Sequence, residues 1–349
     1  MTAGPGEKWS PQWFAGMGIA YASGGPEGGI EVFGDASGPF DELRAGARGK
    51  FECPKWSADG RAMVFHRDVD GRWPPFQTWW RRDPDFGLTR TGVFPSYSRQ
   101  GDVLLSNDRT AGALHNSILR MEPDGSNPSV LFHDAEKSAL GPVFSPDGKA
   151  IAFALGRFFQ SLLGPAIADI AVIQSDGTGL KLFTHSAGNY AFPSWSPDGR
   201  EIDYRASGAG NRGLFITNVT TRATRALTLG SSHDNLPAWS PKGDRIAFTR
   251  YHEGNYDIYT VKPDGTDVQR LTDAPGNDAH CAWSPDGEWI AFTSARGGFK
   301  GESMLHPYNP QPYGDIYVMR ADGSDQHALT DNPFEEGTVA WALLRPAVQ

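Results

Sequence analysis

The chain has 349 residues and a formal charge of −9, with acidic and basic side chains interspersed, which excludes a dedicated nucleic-acid binder built on a basic stripe. A hydrophobic fraction of 39% excludes global disorder, while 42 glycines and 26 prolines suit a protein made of many tight turns. No stretch approaches the length of a membrane span, and Met1 to Lys8 lacks an apolar signal-peptide core. The protein is therefore expected to be cytoplasmic if Met1 is the native start, or periplasmic or secreted if a signal peptide has been removed.

In chain order, Met17–Ala22, Gly29–Phe33 and Phe40–Leu43 read as second, third and fourth strands of a unit that lacks a clear first. A repeated anchor follows. It appears as Trp56-Ser-Ala-Asp-Gly60, in worn form as Tyr97-Ser-Arg-Gln-Gly101, then as Phe144-Ser-Pro-Asp-Gly148. Trp195-Ser-Pro-Asp-Gly199, Trp239-Ser-Pro-Lys-Gly243 and Trp283-Ser-Pro-Asp-Gly287 continue it, and a lone Trp341 closes the series. The anchors recur at intervals of 41 to 58 residues, the range of a propeller blade.

After each anchor comes an apolar run such as Ile246–Thr249 or Ile290–Thr293, then a second such as Asp257–Val261 or Asp315–Met319. An Asp-Gly turn and a short strand ending in Leu271-Thr272 or Leu329-Thr330 complete the unit. Four short strands per unit, repeated radially, predict an all-β fold: a seven-bladed β-propeller of four-stranded blades, one domain over residues 1–349. Thr338–Trp341 supplies the first strand that the N-terminal unit lacks, so the last blade is closed from both chain ends. Trp9-Ser-Pro11 competes for that strand, which leaves six or eight blades as alternatives. Cys53 and Cys281 fall on blades that are not neighbours, so no disulfide is expected between them.

The Trp-Ser-Pro-Asp-Gly, Ile-Ala-Phe and Asp-Ile-Tyr-Val-Met signatures resemble those of the TolB-type propeller family over nearly the whole chain. TolB carries an α/β domain ahead of its propeller for which this chain has no room, so its Pal-binding role does not transfer. Prolyl-oligopeptidase propellers are relatives in shape, but their hydrolase domain and Gly-x-Ser-x-Gly elbow find no counterpart here.

Eight of the nine histidines fall in connections that the repeat scheme places on one face: His66, His115, His133, His185, His233, His252, His280 and His306. Longer loops and solvated positions account for part of that enrichment. Two features sharpen it. His280 lies three residues before Trp283, and Cys281 beside it replaces the proline of other repeats (Pro54, Pro95, Pro193, Pro237). The longest insertion on that face, Arg296–Gly314, carries His306 and Gln311 in a stiff Pro- and Tyr-rich setting.

His280, His306, Gln311 and His233 are therefore candidate ligands for one divalent metal, Mn, Fe, Ni or Zn. The set is similar in kind to that of oligogalacturonate lyase propellers, a resemblance that implies β-elimination from a uronate. His233 or His252 would then be the base, and Arg250 or Arg296 would hold the substrate carboxylate. For both arginines the competing reading is a structural ion pair. The insertion Gly156–Gly164, with Phe158, Phe159, Leu162 and Leu163, offers an apolar wall on the same face or folds back on its own blade.

Two functions follow as expectations. One is a funnel that binds a small acidic or sugar-like ligand, with a His-centred, metal-assisted lyase or hydrolase site. The other is a non-catalytic propeller binding a protein or glycan partner. Neither involves nucleic acid or a membrane span.

Overall fold

The computed structural model describes residues 17–23, 29–34, 50–56, 62–68, 75–80, 90–91, 93–98, 101–108, 115–123, 125–157, 167–185, 188–208, 212–230, 233–298, 314–331 and 336–343. Within residues 17–91 and 336–343 few side chains are described. The segments Trp9–Pro11, Phe40–Leu43 and Gly156–Gly164 from residue 158 on lie outside this set, as do His306 and Gln311. Every regular element described is a strand, and no helix long and apolar enough to cross a membrane occurs among the described residues.

The strands pair as antiparallel sheets in chain order. β1 (Met17–Ser23) pairs with β2 (Gly29–Gly34). The next sheet runs β3 (Lys50–Trp56), β4 (Ala62–Asp68), β5 (Pro75–Trp80), β6 (Arg90–Thr91). Then follows β7 (Val93–Tyr97), β8 (Leu104–Asp108), β9 (Ser117–Met121), β10 (Ser129–Phe132). β11 (Ser138–Phe144), β12 (Ala150–Gly156), β13 (Ala168–Gln174) and β14 (Lys181–Leu182) make a further set of four. A single parallel bridge, Ala168 to Asn189, joins it to β15 (Asn189–Trp195), β16 (Glu201–Ser207), β17 (Gly213–Asn218) and β18 (Thr224–Ala226). The last full sheets are β19 (His233–Trp239), β20 (Ile246–His252), β21 (Asn255–Val261), β22 (Gln269–Arg270), and β23 (Asp278–Trp283), β24 (Trp289–Ser294), β25 (Asp315–Arg320), β26 (His327–Ala328). Finally β27 (Glu336–Leu343) returns to pair with β1, as the chain-end reading expects.

Each first strand packs against the first strand of the next sheet, β3 to β7, β11, β15, β19, β23, β27 and back to β3. Apolar layers fill the gaps between sheets. Ile151 and Phe153 pack with Leu105 and Ile118, Ala152 with Ile202 and Tyr204, and Phe248 with Leu214 and Ile216. Burying each of the larger side chains is worth about 1.5–3 kcal/mol, so the repeated layers are the main cohesive term. The anchor indoles tie sheet to sheet. Trp195 Nε1 donates to the Val143 carbonyl at 3.2 Å, Trp283 to Ala238 at 3.0 Å and Trp341 to Ala282 at 3.0 Å.

The anchor sequence builds its own turn. The glycine amide donates to the serine carbonyl at 2.8–2.9 Å, in Gly148–Ser145, Gly199–Ser196, Gly243–Ser240 and Gly287–Ser284. Those glycines sit at φ +67° to +74°, where a side chain is strained. The serine hydroxyl donates to the aspartate two residues on, in Ser145–Asp147, Ser196–Asp198 and Ser284–Asp286. Where that aspartate is missing, one further along replaces it: Ser240 donates to Asp244 at 2.8 Å and Ser98 to Asp102 at 2.6 Å. The Leu-Thr signature has an equally specific cause. Its threonine hydroxyl accepts a hydrogen bond from a third-strand amide, Thr272 from Ile258 at 2.9 Å and Thr330 from Ile316 at 2.8 Å.

Candidate functional site

First strands share a bulge. In β7, β15, β19 and β23 the residue three before the anchor takes a left-handed conformation: Phe94, Phe192, Leu236 and His280 at φ +52° to +57°; Gly141 in β11 sits at φ +63°. The pairing register shifts at this point in every one of these strands. The Pro of the X-Pro step has no N–H to lose, which is why the sequence repeats it there. His280 is thus a residue of β23, an edge strand of its sheet, and not of a connection as the repeat scheme expects. Its Nδ1 lies 3.3 Å from the Thr293 hydroxyl, and burial pushes its pKa down to about 4, so the imidazole is neutral. The following residue, Cys281, is a free thiol whose pKa burial pushes up to about 12.

The end of the sheets where first strands begin carries most of the other candidates. Arg250 is engaged. Its Nε and Nη2 donate to the two oxygens of Asp234 at 2.7 and 2.8 Å, and its guanidinium lies over the rings of Phe248 and Tyr259. Asp234 is buried and raises the Arg250 pKa further. Arg296 is held the same way. Nη2 donates to buried Asp278 at 2.8 Å, Nη1 to Gln326 and Nε to Ser294, over Tyr317. A third pair, Arg270 to Asp257 at 2.8 Å, follows the pattern. Burial is the main cause that raises Asp257 and Asp278, and the arginines oppose it. These contacts match the structural ion-pair reading of both arginines.

His233 and His252 are exposed. The His233 ring meets Tyr251 edge-on at 6.2 Å, and Tyr251 meets Tyr256 at 4.9 Å. The register puts the three in one cross-strand row on one face of β19–β21, with Tyr251 40% exposed. Burial and Tyr251 raise the Tyr256 phenol, so it stays protonated. His252 flanks the row at the hairpin Glu253-Gly254, 3.8 Å from Glu253. Sequence reading passed over the two tyrosines, because only the pairing register shows that the ends of β20 and β21 bring them beside His233.

The described site residues are therefore distributed. His280 contacts Thr293, His233 contacts Tyr251, and no group of three or more His, Cys, Asp or Glu side chains with metal-binding geometry occurs among the described residues. His306 and Gln311 lie outside that set. Of the remaining histidines, His133 pairs with the Ser117 hydroxyl at 2.9 Å and His327 bonds to Asp325.

Known proteins place the architecture. Residues 164–330 match the family described as "TolB beta propeller domain". No curated protein matches the sequence. The TolB structure from Acinetobacter baumannii superposes with a TM-score of 0.57 at 18% identity, covering 94% of this chain and 67% of that one. An oligogalacturonate lyase in complex with manganese gives 0.59 at 14% identity, over 81% of each chain. The propeller domain of the Trilobed protease from Pyrococcus furiosus gives 0.60 at 10% identity, over 90% and 94%. Residues 164–330 carry TolB beta propeller repeats, and the chain folds as a β-propeller similar to those of TolB and oligogalacturonate lyase.

Proposed function

We propose that this chain is a single-domain, seven-bladed propeller that binds a sugar-like ligand or glycan at the face where its first strands begin. The succession of first strands from β3 round to β27 supports seven blades, β27, β1 and β2 forming the last. The aromatic row His233–Tyr251–Tyr256 carries the ligand reading, since half-exposed rings with polar tips offer an apolar face and hydrogen bonds together. The pairing of Arg250 and Arg296 with buried aspartates disfavours an anionic ligand at those positions. Titration calorimetry against a panel of neutral and acidic oligosaccharides tests this. Binding of a neutral sugar that Tyr251→Ala weakens tenfold or more supports it. Binding of uronates alone, unaffected by Tyr251→Ala, overturns it.

A second reading is a metal-assisted lyase with His280, His306, Gln311 and His233 as ligands and His233 or His252 as base. The neutral His280 imidazole supports it, because only an unprotonated ring nitrogen can ligate a metal, and a lyase of this fold is known with manganese. Elemental analysis of protein purified without tag or chelator, beside His306→Ala, decides. Stoichiometric Mn, Fe, Ni or Zn that the variant loses favours the lyase; metal absent from both samples and not taken up on reconstitution removes it.

A further inference from the structure

Three repeats share an Ile-Ala-Phe step in the second strand: Ile151-Ala-Phe153, Ile246-Ala-Phe248 and Ile290-Ala-Phe292. In β16 the same step reads Ile202-Asp-Tyr204, so an aspartate stands where the others carry a methyl group. Asp203 is fully buried. It pairs with Ser194 on one side and Ile216 on the other. Ala152, its counterpart, packs against the following sheet, so Asp203 faces β19–β22. There the layer is formed by Trp239, Ile246 and Phe248, together with Leu214 and Ile216.

Three other carboxylates on these two sheets have an arginine. Glu201 holds Arg225 at 2.7 Å, Asp234 holds Arg250 at 2.7 Å, and Asp257 holds Arg270 at 2.8 Å. Arg205, two residues along the same face, turns to Asn189 Oδ1 at 3.2 Å and lies over Phe192. Neither oxygen of Asp203 makes a hydrogen bond of ordinary geometry, and the Ser194 hydroxyl with the main chain of Ser194 and Asp203 offsets only part of the cost of burial. The facing indole shows the matching defect. Trp239 Nε1 is buried without a partner, although Trp195, Trp283 and Trp341 all reach the carbonyl of the preceding first strand. Two orphaned polar groups in one apolar layer call for a physical cause.

We propose that Asp203 stands between these two blades as an uncharged carboxylic acid, and that the β15–β18 to β19–β22 contact is a proton-dependent joint that loosens when this group ionises. An ionised carboxylate here would be a charge in an apolar layer with no counter-ion. Burial raises the group well above the ordinary carboxylate range, in agreement with the geometry. The sign follows. The unfolded chain loses this proton near pH 4, while the folded chain retains it. The joint is therefore strongest below pH 4, and its advantage declines as pH rises toward the folded-state value. While the folded group stays protonated, each pH unit lowers the folding constant tenfold relative to a variant without it. The inference is independent of which ligand the propeller binds.

The test compares urea unfolding of the wild type with Asp203→Ala, which restores the repeat's own residue, and Asp203→Asn, between pH 5 and 8. The ratio of folding constants, variant over wild type, is expected to climb with pH for both variants, and to level off only where the folded acid itself ionises. A ratio that stays constant overturns the proposal. Carbon-13 NMR of the wild type labelled at aspartate carboxyl carbons reads the same state without any variant, should either fail to fold. A protonated-acid shift for one aspartate at pH 7 supports it, and fully ionised shifts for all of them refute it.

Discussion

Substituting Arg250 by alanine separates a structural ion pair from a ligand-holding cation. The Asp234 side chain is 2% exposed and receives two donors from Arg250, whose own side chain is 17% exposed. Removing the guanidinium leaves a buried carboxylate without its counter-charge, a loss of about 3–5 kcal/mol, of which the lower end applies because water reaches the arginine. The guanidinium's contact with the Phe248 and Tyr259 rings adds about 0.5–1 kcal/mol. Arg250→Ala is therefore expected to lose about 3–4 kcal/mol, more than a hundredfold in the folding constant. Reversible urea unfolding followed by tryptophan fluorescence measures it. The double variant Asp234→Asn with Arg250→Met removes both charges and keeps the stem, so it should recover at least half of the loss. A loss below about 1 kcal/mol for Arg250→Ala, with no recovery in the double variant, would refute the buried-pair account and return Arg250 to the candidates for ligand contact.

His280 should show no imidazole titration between pH 8 and pH 5 by proton NMR. Because its folded pKa of about 4 lies below the unfolded value near 6.5, stability should fall as pH drops through that window, by about 2 kcal/mol after allowance for the ring's partial exposure. His280→Phe should flatten that decline; a folded imidazole titrating above pH 6 contradicts it. Cys281, with a thiol pKa of about 12, should react with iodoacetamide at pH 8 on the order of a thousandfold more slowly than free cysteine, and normally after unfolding, as peptide mass spectrometry reads. Thr272→Val leaves the buried Ile258 amide without its acceptor and should cost about 1–3 kcal/mol, with faster hydrogen exchange at Ile258. Unchanged exchange there would show that the hydroxyl is not that acceptor.

Much of this architecture was legible because it is written in short-range chemistry that repeats. Ser196, Asp198 and Gly199 form a turn among themselves, and Thr272 accepts a strand amide fourteen residues away, so seeing one unit reveals the others. The pairing of Trp341 with the N-terminal strands could be inferred because their unit lacks a clear first strand, although Trp9-Ser-Pro11 competed for that place. The site was less legible. Whether Arg250 is free depends on Asp234, sixteen residues off and on another strand, and nothing local marks the pair. His280 looked like a loop residue because a bulge in mid-strand leaves no mark in periodicity except the X-Pro step that Cys281 interrupts. Asp203 had a signal that was overlooked, the one Ile-Ala-Phe step that reads Ile-Asp-Tyr.

The pairing of β1 with β27 has a consequence in time. A ribosome releases β1 and β2 before the other described strands, yet the strand that pairs with β1 begins at Glu336, roughly 300 residues after β2 ends at Gly34. At about 5–20 residues per second that delay is on the order of 15–60 s. Through that interval every later sheet can form on its own, because each is made of neighbouring strands, while β1 presents an unpaired edge. Among the described strands β1 is thus made first and its second edge is secured last, which leaves that edge open to pairing with another chain in the meantime.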